Sequence, residues 1–106
     1  MENAVSKPFS CPCCGRKTLE ARGHYDICPV CWWEDDGTDN ENADNHSGPN
    51  HLTLAEGRMN FIKYGIYNPN RTDLMEKQMN AELFALGRVF RITENQVFEE
   101  KTDLFK

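Results

Sequence analysis

A chain of 106 residues, 39% of them hydrophobic and with a mean hydropathy of −0.71, has room for one domain, or a small module with an appendage, around a thin apolar core. Such a core calls for a staple from outside the hydrophobic effect, and metal ions serve small domains in that way. The 12 Lys and Arg against 17 Asp and Glu give a net charge of −5, which works against a phosphate-binding surface and is compatible with a basic protein partner.

Residues 1–8 read as a short, flexible polar leader with neither a basic n-region nor an apolar h-region. No run is long enough to cross a bilayer. A cytoplasmic location is therefore expected, with no membrane partner. In a reducing compartment clustered cysteines are metal ligands before they are disulfides.

Residues 9–34 hold all five cysteines and both tryptophans. Cys11-Pro12-Cys13-Cys14-Gly15 and Cys28-Pro29-Val30-Cys31 each contain a C-x2-C pair. Two cysteines at this spacing can grip one metal from a tight turn, with Pro fixing φ after the first ligand and Gly15 letting the turn close. Two such knuckles supply the four thiolates of a tetrahedral site, with Cys11, Cys14, Cys28 and Cys31 as the ligands. Zinc is the expected ion; rubredoxin-like iron uses similar knuckles. Four thiolates leave no open position, so the site reads as structural. The strand-like pieces 17–20 and 25–27, with Gly23 between them, predict a hairpin joining the knuckles.

Cys13 is the surplus thiol. It reads either as a reactive thiol activated by nearby charge or as a small filler within the knuckle. Trp32 and Trp33 follow the last ligand, and packing over the metal site is the expectation for at least one of them. Strand alternation would turn the other outward, toward a partner. The stretch from Asp35 to Asn45 is nearly devoid of apolar residues and reads as a solvated acidic loop. Its carboxylates do not follow a calcium-loop register, and Asp35, Asp36 and Asp39 are candidate contacts for a basic partner. His46 and His51 flank a Gly-Pro-Asn turn, and His51 reads as structural at the mouth of the next helix.

That helix is announced by Thr53 with Glu56, a capping-box pair, and stopped by Gly65. Thr72 or Asp73 is expected to cap a second helix bearing Met75, Met79, Leu83 and Leu86, stopped by Gly87. Residues 88–92 read as a short strand or a turn. Thr93 with Gln96 is another capping-box match, predicting a last helix through Val97, Phe98, Lys101, Leu104 and Phe105. The fold class expected is α+β: a zinc-ribbon β-hairpin module with one helix over residues 9–65, then a helical extension over residues 66–106, giving two or three helices in all.

The motifs Cys11-Pro12-Cys13-Cys14-Gly15, Tyr25 to Gly37 and Gly48-Pro49-Asn50-His51-Leu52-Thr53-Leu54 occur in order and resemble the bacterial cysteine-rich CPCC family. Glu56, Arg58, Asn60, Phe61 and Gly65 fit the same pattern, so the resemblance runs from about Phe9 to Gly65. The family is named for its motif and has no established activity. The resemblance therefore implies a small zinc-binding domain and little about chemistry.

Three functions follow as expectations. The first is a non-enzymatic interaction module, a homodimer or an immunity- or antitoxin-like protein facing a basic partner. The second is a zinc-ribbon nucleic-acid binder or regulator using Arg16, Lys17 and Arg22, against the acidic balance. The third is a thiol-redox protein using Cys13. No hydrolytic or phosphate-binding motif is present, so an enzyme is the least expected of the three.

Overall fold

The computed structural model describes residues 5–100. These residues form three two-stranded antiparallel sheets and one three-turn helix, which packs against the second and third sheets. Strands β1 (Phe9–Ser10) and β2 (Lys17–Leu19) pair across the first knuckle, with Phe9 opposite Leu19. Strands β3 (His46–Ser47) and β4 (Leu52–Thr53) pair around the Gly48-Pro49-Asn50 turn. Helix α1 spans Leu54–Tyr64, and α2 is a single turn at Thr72–Met75. Strands β5 (Val89–Thr93) and β6 (Gln96–Glu100) close the described chain as a hairpin.

The α1 signals act as the sequence predicts. Thr53 Oγ1 accepts from Glu56 N at 3.0 Å, and Glu56 Oε1 accepts from Thr53 N at 2.8 Å, so two otherwise orphaned amides are satisfied. Gly65 ends the helix at φ 82°. Leu54, Gly57 and Arg58 form its buried face. The core is built of Leu19, Trp33, Leu54, Ile66, Tyr67 and Phe84 around the cysteines. Trp33 is fully buried against Gly57 and meets Tyr67 edge-on at 6.1 Å.

The fold is thus mixed α and β, with two departures from expectation. Residues 17–20 and 25–27 do not pair with one another. Strand β2 pairs with β1, and Ile27 forms a bridge with Glu34, so each knuckle is the turn of its own short ladder. Gly23 instead lies against Gly37, close enough that a Cβ on Gly23 would meet the Gly37 Cα at 3.7 Å.

The second departure is the C-terminal third. The helix expected from Thr72 to Leu86 stops after one turn, and Met75, Met79, Leu83 and Leu86 are left exposed, while Leu74 and Phe84 are buried. A continued helix would spend its amides internally. Here those amides reach the knuckles: Met79 N donates to Pro29 O at 2.9 Å, and Gly87 N and Arg88 N donate to Gly15 O at 2.8 and 3.0 Å. Lys17 N donates in turn to Ala85 O at 2.8 Å, so the chain from Ala85 to Arg88 runs along β2. A Cβ on Gly87 would sit 2.0 Å from Ser10 Oγ, so a larger residue would have to turn that hydroxyl aside.

The short strand or turn expected at 88–92 is strand β5, whereas the helix expected from Thr93 onward is the turn and strand β6 of the same hairpin. Glu94 and Asn95 have φ 53° and 65°, the two left-handed residues of a type I′ turn, and Thr93 pairs with Gln96 instead of capping a helix. Asn tolerates that conformation, and Val, Phe and Ile favour strands. Lys101, Leu104 and Phe105 lie outside the described residues.

Candidate metal centre

The two knuckles repeat one backbone pattern. Cys11 N donates to Arg16 O at 2.8 Å and Gly15 N to Cys11 O at 2.9 Å; Cys28 N donates to Trp33 O at 3.0 Å and Trp32 N to Cys28 O at 2.8 Å. Gly15 and Trp32 occupy equivalent positions with φ 86° and 71°. The knuckles face each other and bring Cys11, Cys14, Cys28 and Cys31 together, all four sulfurs lying within 4.8 Å of one another. Cys11 Sγ and Cys31 Sγ are 3.6 Å apart, and Cys14 Sγ and Cys28 Sγ are 3.7 Å apart. A tetrahedron with metal–sulfur bonds of about 2.3 Å has edges of about 3.8 Å. The cluster therefore fits a four-thiolate metal ion.

The surroundings suit thiolates. Cys13 N and Cys31 N each approach a ligand sulfur, Cys11 and Cys28 respectively, at 3.4 Å. The Thr18 hydroxyl donates to Cys28 Sγ at 3.1 Å. Burial pushes the Cys11, Cys14 and Cys31 thiols well above their ordinary value. Burial acts the same way on Cys28, but hydrogen bonds from Cys11, Cys14, Cys31 and Thr18 outweigh it and hold that thiol well below. A cation entering the cluster must displace the remaining protons, so uptake is coupled to proton release. No other group of three or more His, Cys, Asp or Glu side chains is poised to hold an ion among the described residues.

The backbone around the cysteines is capped from later in the chain. Tyr67 N donates to Cys31 O at 3.0 Å, and Gln78 Nε2 to Val30 O at 2.6 Å. Arg58 Nε donates to Pro12 O at 2.7 Å. Cys13 is 1% exposed, and its sulfur lies beneath Gly57, so the surplus thiol is packed inside the first knuckle under α1.

The residues expected at a partner surface have other duties. Trp33 is buried and Trp32 half-buried against the core. Asp35 is fully buried and accepts from Arg22 Nε, Gly23 N and Gly37 N at 2.9, 2.8 and 3.1 Å, which pins the two glycine turns together. Asp36 accepts from the Thr38 and Ser47 hydroxyls at 2.6 and 2.8 Å. Asp39 is a hub: Arg22 and Arg88 donate to it at 2.9 and 2.8 Å, and Arg58 Nη2 lies 3.5 Å away, an ion pair without hydrogen-bond geometry. Burial opposes ionisation of Asp39, but the Arg88 and Arg22 guanidiniums outweigh it and hold its carboxyl below the ordinary range. The stretch is therefore an internally bonded loop and not simply a solvated one.

Sequence reasoning missed the far side of that hub. Arg88 also donates to Glu99 at 2.9 Å, and Arg58 lies 4.1 Å over the Phe90 ring, so the β5–β6 hairpin is tied to the acidic loop and to α1. Burial, then the neighbouring Arg88 charge, lowers Arg58. Asn50 was also missed; it is 1% exposed and bonds Glu34 N and O at 2.8 and 2.9 Å. The position after Gly-Pro in a turn was the one available signal. His46 and His51 are exposed, and His51 takes φ 62° in that turn. Of the cations expected to meet nucleic acid, Arg16 donates to Phe84 O at 3.1 Å and Arg22 is committed to Asp35 and Asp39.

No helix among the described residues is long and apolar enough to cross a membrane. The sequence model of the family described as Cysteine-rich CPCC matches residues 9–82, more than half of the chain. The chain belongs to that family. No curated protein and no solved structure gives a match.

Proposed function

We propose that this member of the cysteine-rich CPCC family is a non-enzymatic protein-interaction module built on one structural zinc ion, held by Cys11, Cys14, Cys28 and Cys31. The observation that carries the reading is the closed, buried cluster of four thiols, none more than 7% exposed. Four sulfurs fill a tetrahedral zinc shell, so a bound ion would cross-link the two knuckles and offer no site to a substrate. Zinc is favoured over iron because it is the usual ion of small four-cysteine structural sites.

The ligands hold the knuckles, the knuckles hold the 66–88 segment through carbonyls of Gly15, Pro29, Val30 and Cys31, and the assembly presents an acidic surface. A net charge of −5 supports a basic partner of the kind an immunity- or antitoxin-like protein neutralises. Affinity purification from the native host, with metal analysis of the eluate, tests both halves. One zinc per chain with a stoichiometric basic protein is the expected result. A metal-free or iron-loaded chain overturns the first half, and a clean monomer overturns the second.

A further inference from the structure

We propose that the outer edge of β6 is the docking site for an extended, cationic segment of a partner protein, which adds to the hairpin as a third strand. The inference deepens the interaction reading above and rests on it. The register of the hairpin decides which backbone groups are free. A two-residue type I′ turn makes Thr93 and Gln96 a hydrogen-bonded pair, so the bonded pairs alternate from there: Arg91 with Phe98, and Val89 with Glu100. Val97 and Glu99 then turn their N–H and C=O groups away from β5. No backbone hydrogen bond reaches those groups from the other described residues. An edge of this kind is a template for strand addition.

The edge also faces open space. Two adjoining clefts of about 360 and 220 Å³ run beside β6, sharing Asp44, Ala55 and Val97 in their walls. Ala55, Met59 and Val97 give them an apolar floor, where alternate side chains of an added strand would sit. The rim is acidic. Asp44 is exposed and its carboxylate has no hydrogen bond or ion pair among the described residues, and exposed Glu56 stands beside it. The single cation in these walls, Arg58, is buried and spent on Pro12 O and Asp39. A segment alternating Lys or Arg with apolar residues satisfies the free backbone, the floor and the rim together. A second copy of this chain is a poorer occupant, because β6 contains no Lys or Arg and each copy carries a net charge of −5.

The test uses the zinc-loaded full chain and an acetylated, amidated octapeptide of alternating Lys and Val, with Glu for Lys in the control. Fluorescence anisotropy should show the Lys peptide binding at least about tenfold more tightly than the Glu peptide. Amide shifts should centre on Val97, Glu99 and Asp44. Asp44→Lys reverses an exposed, unpaired charge and should weaken binding by about tenfold or more. Val97→Pro removes the outward N–H while leaving the β5 ladder intact, since that amide makes no cross-strand bond, and should have a similar effect. Wild-type affinity in both variants overturns the proposal, and so do shifts mapped away from β6. A wild-type dimer abolished by Val97→Pro assigns the edge to a second copy and likewise overturns it. A native partner still bound by Val97→Pro removes this edge but leaves the interaction reading standing. Failure to recover any native partner removes that reading, whatever the peptide does.

Discussion

The two knuckles have the same backbone bonds and opposite solutions at their closing residue. In the first, Gly15 takes φ 86° at no steric cost, and the absent side chain is used: a Cβ there would lie 2.0 Å from Arg88 O. In the second, Trp32 takes φ 71°, which strains a bulky residue, and its half-buried indole packs against the core. One local geometry thus serves as a docking notch in one copy and as a lid in the other. Tertiary surroundings, not the turn itself, choose the residue.

The largest effect is expected from what the knuckles share. Chelation, or Cys28→Ser, removes a four-thiolate site whose binding free energy is of the order of 10 kcal/mol or more. Both knuckles should lose amide chemical-shift dispersion together. Retention of native dispersion over residues 9–34 in metal-free protein would falsify the structural role of the ion.

Gly15→Ala sharpens the difference between the copies. It combines a left-handed penalty of about 1–2 kcal/mol with the Arg88 clash, so a loss of at least about 2 kcal/mol in denaturant unfolding is expected. The loss should come with weaker hydrogen-exchange protection at Gly87 and Arg88. Trp32→Gly should behave otherwise: relief of about 1–2 kcal/mol of strain roughly offsets the lost half-buried indole, for a net change within about 1 kcal/mol. Trp33→Ala, one residue on and fully buried, should cost about 3–5 kcal/mol. Equal costs at Trp32 and Trp33 would break the lid interpretation.

The smallest effect concerns acid. Asp39 is held below its ordinary value in the folded chain by Arg88 and Arg22 against the opposing effect of burial. Its contribution is present above the unfolded carboxyl value of about 3.9 and is lost as pH falls through the lower folded value. Protection of β5 and β6 amides should therefore show an acid-dependent component below about pH 4. Asp39→Asn should remove that component while leaving the pH of metal release, followed with a chromophoric chelator, unchanged. An unaltered hairpin profile in Asp39→Asn would show that the hub does not clamp the hairpin.

Legibility in the sequence followed the range of the interaction. The four candidate ligands could be read because two-residue spacing within a knuckle is itself the chemistry. Helix α1 could be read because a capping box spans only Thr53 to Glu56, and Gly65 stops the helix locally. The same local signal failed at Thr93 and Gln96, where an identical spacing closes a hairpin whose residues are held by Asp39 and Glu99. A capping match states that a helix can start and says nothing of competing partners. The stripe at Met75, Met79, Leu83 and Leu86 failed for a related reason: the helix is broken between the short turns Thr72–Met75 and Ala81–Leu83, and Met79 N bonds the knuckle carbonyl of Pro29 instead of a carbonyl of its own helix.

By itself, then, the sequence determined the family, the four candidate ligands, the surplus status of Cys13 and the helix α1. Tertiary structure alone decided that residues 96–100 form a strand paired with 89–93, that Asp35 and Asp39 bind the chain to itself, and that no backbone hydrogen bond from the other described residues reaches the outer edge of β6. Ligand spacing and capping are settled between residues a few positions apart. The hub joins Asp39 to Arg88 across 49 positions, and no local pattern encodes which distant cation a carboxylate will meet.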